Sequence, residues 1–303
     1  MTEHRLDPSA DTVTDVFDRD RAPVLTVDPG DTLIVRSLNA SGSLGADTDS
    51  ARLIENARGH CLTGPIAVRG AEPGMMLAVR LESLQPDDWG FTAAASRDNA
   101  LNRRLGVVPG QRVLLHWDIA DGRAVNNLGF AVRLAPFLGV IGMPPAEAGQ
   151  HSTIPPRADG GGNIDCRELV AGSMLYLPIT VPEALLCLGD GHGAQGDGEV
   201  CGTAVECGMT TRLVLELVAD PPIPTAHATT PAGRVTFGFD ADLNEASAQA
   251  LSAMLDWMQA LHGVDRTTAL ALASPVVDLR VTQIANQTWG VHAVLPDDAL
   301  TRV

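Results

Sequence analysis

Val24-Leu25-Thr26-Val27-Asp28-Pro29-Gly30-Asp31-Thr32-Leu33-Ile34-Val35-Arg36 reads as strand, turn, strand. Proline presets φ at the first turn position and glycine accepts the positive φ that follows, so a hairpin is predicted. The grammar recurs in Ile66-Ala67-Val68, Gly70-Ala71-Glu72-Pro73-Gly74 and Leu77-Ala78-Val79-Arg80-Leu81-Glu82, a second predicted hairpin. There Leu77, Val79 and Leu81 alternate with their neighbours, so one face is buried. Further strands are expected at Val113–Trp117, Met174–Leu177, Cys201–Glu206 and Thr211–Val218. Thirty glycines and twenty prolines punctuate these runs, the pattern of many short strands joined by tight turns.

Two regions depart from this pattern. Ala148 to Cys166 is rich in Pro and Gly, including Gly160-Gly161-Gly162, and reads as a long functional loop. From Asp240 onward the period becomes helical. Ala248, Leu251, Met254, Leu255, Met258 and Leu261 form an apolar stripe, with Asp242 or Asn244 as N-cap and Gly263 just past the end. Asp265 caps a shorter helix to Ala273, and Val276 to Ile284 reads as a strand. The expected organisation is a mainly β region over 1–145, a glycine-rich, motif-bearing β region over 146–235, and a helix and strand region over 236–303.

All 21 basic residues are arginine, so the chain contains no lysine. Schiff-base chemistry, a Walker-type phosphate loop and lysine-dependent Ser-Ser-Lys or Glu-Lys-Cys amide hydrolysis are therefore excluded. A net charge of −16 argues against a nucleic-acid surface. No apolar stretch approaches the ~20 residues that span a bilayer, and the start Met1-Thr2-Glu3-His4-Arg5 has no hydrophobic signal segment. A cytoplasmic protein without membrane partners is expected. Five cysteines (Cys61, Cys166, Cys187, Cys201, Cys207) without a CxxC pair suit reduced thiols.

Chemistry concentrates in Gly189-Asp190-Gly191-His192-Gly193-Ala194-Gln195-Gly196-Asp197-Gly198-Glu199-Val200-Cys201. Imidazole and ionised carboxylates suit a divalent ion, and glycine lets the backbone wrap closely enough for them to converge. A solvated acidic turn is the plainer reading of the same residues. The second cluster is Gln150-His151-Ser152-Thr153-Ile154-Pro155-Pro156-Arg157 with Gly160-Gly161-Gly162-Asn163-Ile164-Asp165. It puts His151, Arg157, Asn163 and Asp165 on one long loop. The remaining histidines read as structural, and Cys201 as a small buried residue or a nucleophile.

Pro23-Val24-Leu25-Thr26-Val27, Gly30-Asp31, Leu62 to Gly74, Pro155-Pro156-Arg157, Gly161-Gly162-Asn163-Ile164-Asp165 and Gly189 to Glu206 together resemble the acetamidase/formamidase family. Ser274 to Pro296 is similar to that family too. The resemblance implies a mainly β fold with a smaller α/β portion: a β-sandwich or jelly-roll-like body with the C-terminal amphipathic helix, assembled as a homo-oligomer. It also implies hydrolysis of a short-chain amide, formamide or acetamide, to carboxylate and ammonia, with an associated divalent metal ion, zinc or calcium. Asp165, Asp190, His192 and Asp197 match the polar motif positions and are the implied metal ligands; His151 and Glu199 match as well. Thr14-Asp15-Val16 departs from the His-Trp that the family often carries before an early glycine.

On this reading a divalent ion polarises the amide and lowers the pKa of water toward ~7. Glu199 serves as general base and returns the proton to the departing amine. His151 or Asn163 stabilises the oxyanion, and Arg157 and Gln195 contact substrate. The alternative function is a non-catalytic metal- or ligand-binding β-sandwich.

Overall fold

The short β-branched runs do become strands, and their long-range pairing builds the core. The computed structural model describes residues 2–46, 50–95, 99–107 and 111–301. Strands hold 43% and helices 11%, so the interior is a sheet interior. Among the described residues one curled, branching sheet takes in 19 strands, and only Val16–Asp18 and Gln150–Ser152 pair apart from it. Its spine is Met76–Ala94 against Glu206–Val218, antiparallel from Val218↔Met76 to Glu206↔Phe91. Leu33, Val35, Leu77, Val79, Leu81, Leu213 and Leu215 are fully buried around that spine. Among the described residues no helix is long and apolar enough to cross a membrane.

Neither predicted hairpin forms, although its strands and turns do. Asp31 N–H donates to Asp28 O (3.1 Å) and Gly30 takes φ +88°, so the first reversal is real. Leu25–Val27 nevertheless pairs in parallel with Leu62–Val68. Thr32–Ser37 has Glu3–Leu6 as one neighbour and Glu206–Val218 as the other. A strand has two edges, and both are taken. Leu62–Val68 and Met76–Ala94 likewise pair with different strands.

Two further expectations change. The segment 148–166 contains the short strands Gln150–Ser152, Pro156–Arg157 and Gly161–Asn163. Cys201–Glu206 is irregular until Glu206, with Gly202 at φ +84°. The long helix is Leu243–His262, capped by the Asp242 carboxylate accepting from Asn244 N–H and closed by left-handed Gly263. It lies on strands Gly233–Asp240 and Trp289–Leu295, where a Cβ on Gly238 would stand 2.0 Å from Ala246 O. Its buried face is Ala246, Ala250, Met254 and Met258, the i, i+4 series, while Ala248 and Leu261 are exposed. Arg266–Ala273 follows, capped by Asp265.

Candidate active site

Strand Leu186–His192 carries the motif into the core. It pairs with Phe137–Gly142 (Phe137↔His192, Leu138↔Gly191, Val140↔Gly189) and places Asp190 beside Gly139. Two residues apart, Asp190 and His192 share one side of the strand. The glycine between them serves close approach: a Cβ on Gly191 would stand 2.7 Å from Cys207 O. Asp165 enters after strand Gly161–Asn163, its N–H donating to Gly139 O (3.1 Å). A Cβ on Gly139 would lie 2.6 Å from both Asp165 Oδ1 and Asp190 Oδ2, so the glycine makes room for the two carboxylates.

Glu199 and Glu206 complete the cluster. The loop carrying Glu199 is tied to the C-terminal strands, with Gly198 N–H donating to Thr282 O (3.1 Å) and Ile284 N–H to Gly198 O (2.8 Å). Glu206 pairs with His192 across strands, and its Oε1 accepts from Ala204 N–H (2.8 Å). Asp165, Asp190 and Glu199 all have left-handed backbone, with φ of 52°, 59° and 43°. Each such residue costs roughly 1–2 kcal/mol, a strain that collects where function constrains the backbone.

Two histidines face Asp190. Gln195 Nε2 donates to Asp165 O (2.8 Å), which turns its Oε1 toward His192 Nδ1 (2.8 Å) and makes that nitrogen the donor. His192 Nε2 then stands 3.5 Å from Asp190 Oδ1 and 3.4 Å from Glu206 Oε1. His60 is set the same way: Nδ1 lies 3.2 Å from Thr153 O, and Nε2 lies 3.9 Å from Asp190 Oδ2.

Four buried carboxylates cannot all ionise beside so little positive charge. Burial opposes ionisation of Asp190, but His60 and His192 outweigh it and hold that carboxyl below the usual range. Burial raises Asp165 to about 7, opposed by His192 and aided by Asp190. Glu199 is raised well above its ordinary range by burial and then by Asp165. Burial also raises Glu206, opposed by His192 and aided by Asp190. Burial lowers the His192 imidazole, but Glu206 and Asp190 outweigh it and raise its pKa well above the ordinary value.

The donor set fits a divalent cation. Six potential ligand atoms are buried without a hydrogen-bond partner: both Asp165 oxygens, Asp190 Oδ1, His192 Nε2, Glu199 Oε2 and Glu206 Oε2. Asp165, Asp190 and His192 each bring a ligand atom within 4.8 Å of the others, as do His192, Glu199 and Glu206. A pocket of about 310 Å³ opens over them, lined in part by Ser41, His60, Phe91, Asn163, Cys201 and Asn286. Asn163 Nδ2 donates to Ile154 O (3.0 Å), leaving its buried Oδ1 as a free acceptor.

The structure thus brings Asp165, Asp190, His192, Glu199 and Asn163 together, with Gln195 behind them as a positioning residue. His151 stands apart in the small two-stranded sheet opposite Phe17, its Nε2 bonded to Glu147 O (3.2 Å). Arg157 spends its guanidinium on Met143 O and on the Phe17 ring, 4.8 Å from the centroid. Asp197 is exposed and acts instead on Glu168, whose pKa is raised by burial and then by Asp197. Glu206 and His60 are the site residues that sequence reasoning missed. Glu206 closes the quoted motif, and His60 stands two residues before the quoted Leu62 to Gly74 stretch, which were the available signals.

A curled β fold enclosing a buried carboxylate–imidazole centre under a small pocket defines the class. The acetamidase/formamidase family profile matches residues 2–149 and 104–231, and the chain belongs to that family. A protein of Schizosaccharomyces pombe is 28% identical over 243 residues, 61% of this chain and 59% of its own length. A formamidase of Methylophilus methylotrophus is 27% identical over 255 residues, 65% of this chain and 62% of that one. The chain therefore spans about three fifths of the length of these curated relatives. The crystal structure of an acetamidase from Bacillus halodurans superposes with a TM-score of 0.87 at 27% identity, covering 96% of this chain and 97% of the other.

Proposed function

We propose that this protein hydrolyses short-chain aliphatic amides, formamide or acetamide, to carboxylate and ammonia, with a divalent cation, zinc or calcium, held by Asp165, Asp190 and His192. The observation that carries the reading is the set of six unpartnered ligand atoms, five of them on residues that line the pocket and the sixth on His192 beside them, in a chain of this family. When bound, such a cation supplies Lewis acidity, polarising a carbonyl and making water acidic near neutral pH.

The chain's own residues supply the rest. Glu199 Oε2 is unpartnered at the pocket wall, and a cation in the centre would favour its ionised form, which is placed to take a proton from the attacking water and return it to the departing nitrogen. Ammonia leaves only after that protonation, so one carboxyl serves both halves of the reaction. Asn163 Oδ1, an acceptor, suits a substrate N–H rather than an oxyanion. Gln195 holds the His192 ring with Nε2 turned toward the centre, where that nitrogen would serve as a ligand once deprotonated. The same reading includes cytoplasmic action as a homo-oligomer, and exposed Leu128 and Phe130 offer apolar surface for self-association.

Glu199→Gln keeps the size and removes the titratable carboxyl that would accept and return the proton. Ammonia release should fall by about 10²-fold or more, with bound metal unchanged by elemental analysis. Wild-type-like turnover in that variant would remove Glu199 from the mechanism.

A further inference from the structure

The residue after Asp165 begins a second cluster, outside the pocket lining. Cys166, Glu168 and His292 each bring a ligand atom within 4.8 Å of the other two. Cys166 and His292 are 0% exposed and Glu168 is 9% exposed. Thr282 Oγ1 holds the His292 ring through Nδ1 (2.8 Å), and His292 Nε2 is buried with no hydrogen-bond partner. Arg280 Nη1 donates to Glu168 Oε1 (2.6 Å), while Glu168 Oε2 is buried and unpartnered. Two orphaned ligand atoms beside a buried thiol are costly unless something satisfies them.

We propose that Cys166, Glu168 and His292 supply three ligands of a second divalent-cation site, distinct from the one under the pocket. A thiolate, a carboxylate and a neutral imidazole together select a borderline cation of the zinc type over calcium, which prefers oxygen alone. One thiolate and one carboxylate balance the charge of a divalent ion, and Arg280 remains on the other carboxylate oxygen. Tetrahedral zinc with bonds of about 2.0–2.3 Å sets its ligands about 3.5 Å apart, so the three need draw in by only about an ångström. Cys166 stands next to left-handed Asp165, and His292 lies on strand Trp289–Leu295. An ion here would pin the backbone behind Asp165 to the C-terminal strands.

The first centre contains no cysteine ligand, so a thiolate signature separates the two sites. The full-length protein is stripped, reloaded with cobalt(II), and read for a thiolate-to-cobalt charge-transfer band in the near ultraviolet, with metal equivalents counted in parallel. The band is expected in wild type and in Cys201→Ser, whose thiol lines the pocket. It should vanish in Cys166→Ser, together with one metal equivalent and with the far-ultraviolet spectrum unchanged. His292→Gln should also lose one equivalent, which keeps the question open to test if Cys166→Ser does not fold. A wild-type protein without the band overturns the proposal. So does a band that survives Cys166→Ser, or one that disappears only in Cys201→Ser.

Discussion

Gly139 sets the spacing of the pocket centre. Its missing Cβ leaves the space into which Asp165 Oδ1 and Asp190 Oδ2 project, each 2.6 Å from where a methyl carbon would sit. Its backbone is not in the left-handed region, so Gly139→Ala tests space alone. We expect a folded variant by circular dichroism, with cation affinity and kcat/KM each reduced about 10–100-fold, the scale on which displaced supporting residues act on metal sites. Unchanged metal content would show that the two carboxylates do not act together. At this scale the sequence was informative where chemistry is dense: Asp190, His192 and Glu199 lie within ten residues, and Asp165 closes a glycine run. It misled at His151 and Arg157, because only tertiary contacts show a ring bonded to Glu147 O and a guanidinium stacked on Phe17. Glu206 ends the motif in sequence, but its approach to the centre depends on strand register with His192, which the motif does not encode.

The docking of the long helix on the C-terminal strands includes a titratable contact. His227, on strand His227–Thr230, stacks on Tyr176 (4.7 Å between centroids) and meets Trp257 of the helix edge-on at 4.7 Å. Its Nδ1–H donates to Thr225 O (2.7 Å), and its Nε2 is buried without a partner. Burial pushes this imidazole down to about 4, opposed by the bond to Thr225. The unfolded value is about 6.5, so between the two the unfolded chain binds the extra proton. The stabilisation is present in full above pH 6.5 and is lost as pH falls toward 4. From pH 6.5 to 5 the loss from this one residue is roughly 2 kcal/mol. Urea unfolding at pH 7 and pH 5 should show His227→Gln losing less stability on acidification than wild type by about that amount. Parallel pH profiles would contradict it. Element identity was legible here: the helical period, an N-cap at Asp242 or Asn244 and Gly263 past the end predicted the helix, and the structure takes Asp242 as the cap of Leu243–His262. Strand pairing was not. Turns such as Asp28 to Asp31 join strands whose edges are filled by residues far away in sequence, and local periodicity carries no information about those partners.

Over the whole molecule, a net charge of −16 coexists with four carboxylates buried around one centre. A cation bound only by the folded chain offsets that repulsion and stabilises by mass action, about 2.7 kcal/mol at a hundredfold excess over Kd. Chelator-treated protein should therefore melt at a lower temperature, with the loss reversed by adding back the divalent ion. An identical Tm with and without chelator would mean that protons, through the raised Asp165 and Glu199 carboxyls, balance the centre instead. The mainly β architecture was legible from composition and turn spacing. The curled sheet that folds Asp165, Asp190, His192, Glu199 and Glu206 onto one another was not, because it depends on pairings between distant strands.

The most direct measurement is ammonia release by the cation-loaded, full-length protein from a panel of short amides. Formamide or acetamide should yield ammonia and carboxylate in equal amounts. Absence of ammonia from every amide, in protein that is folded and metal-loaded, would contradict the proposed hydrolase and leave the centre as a binding site without turnover.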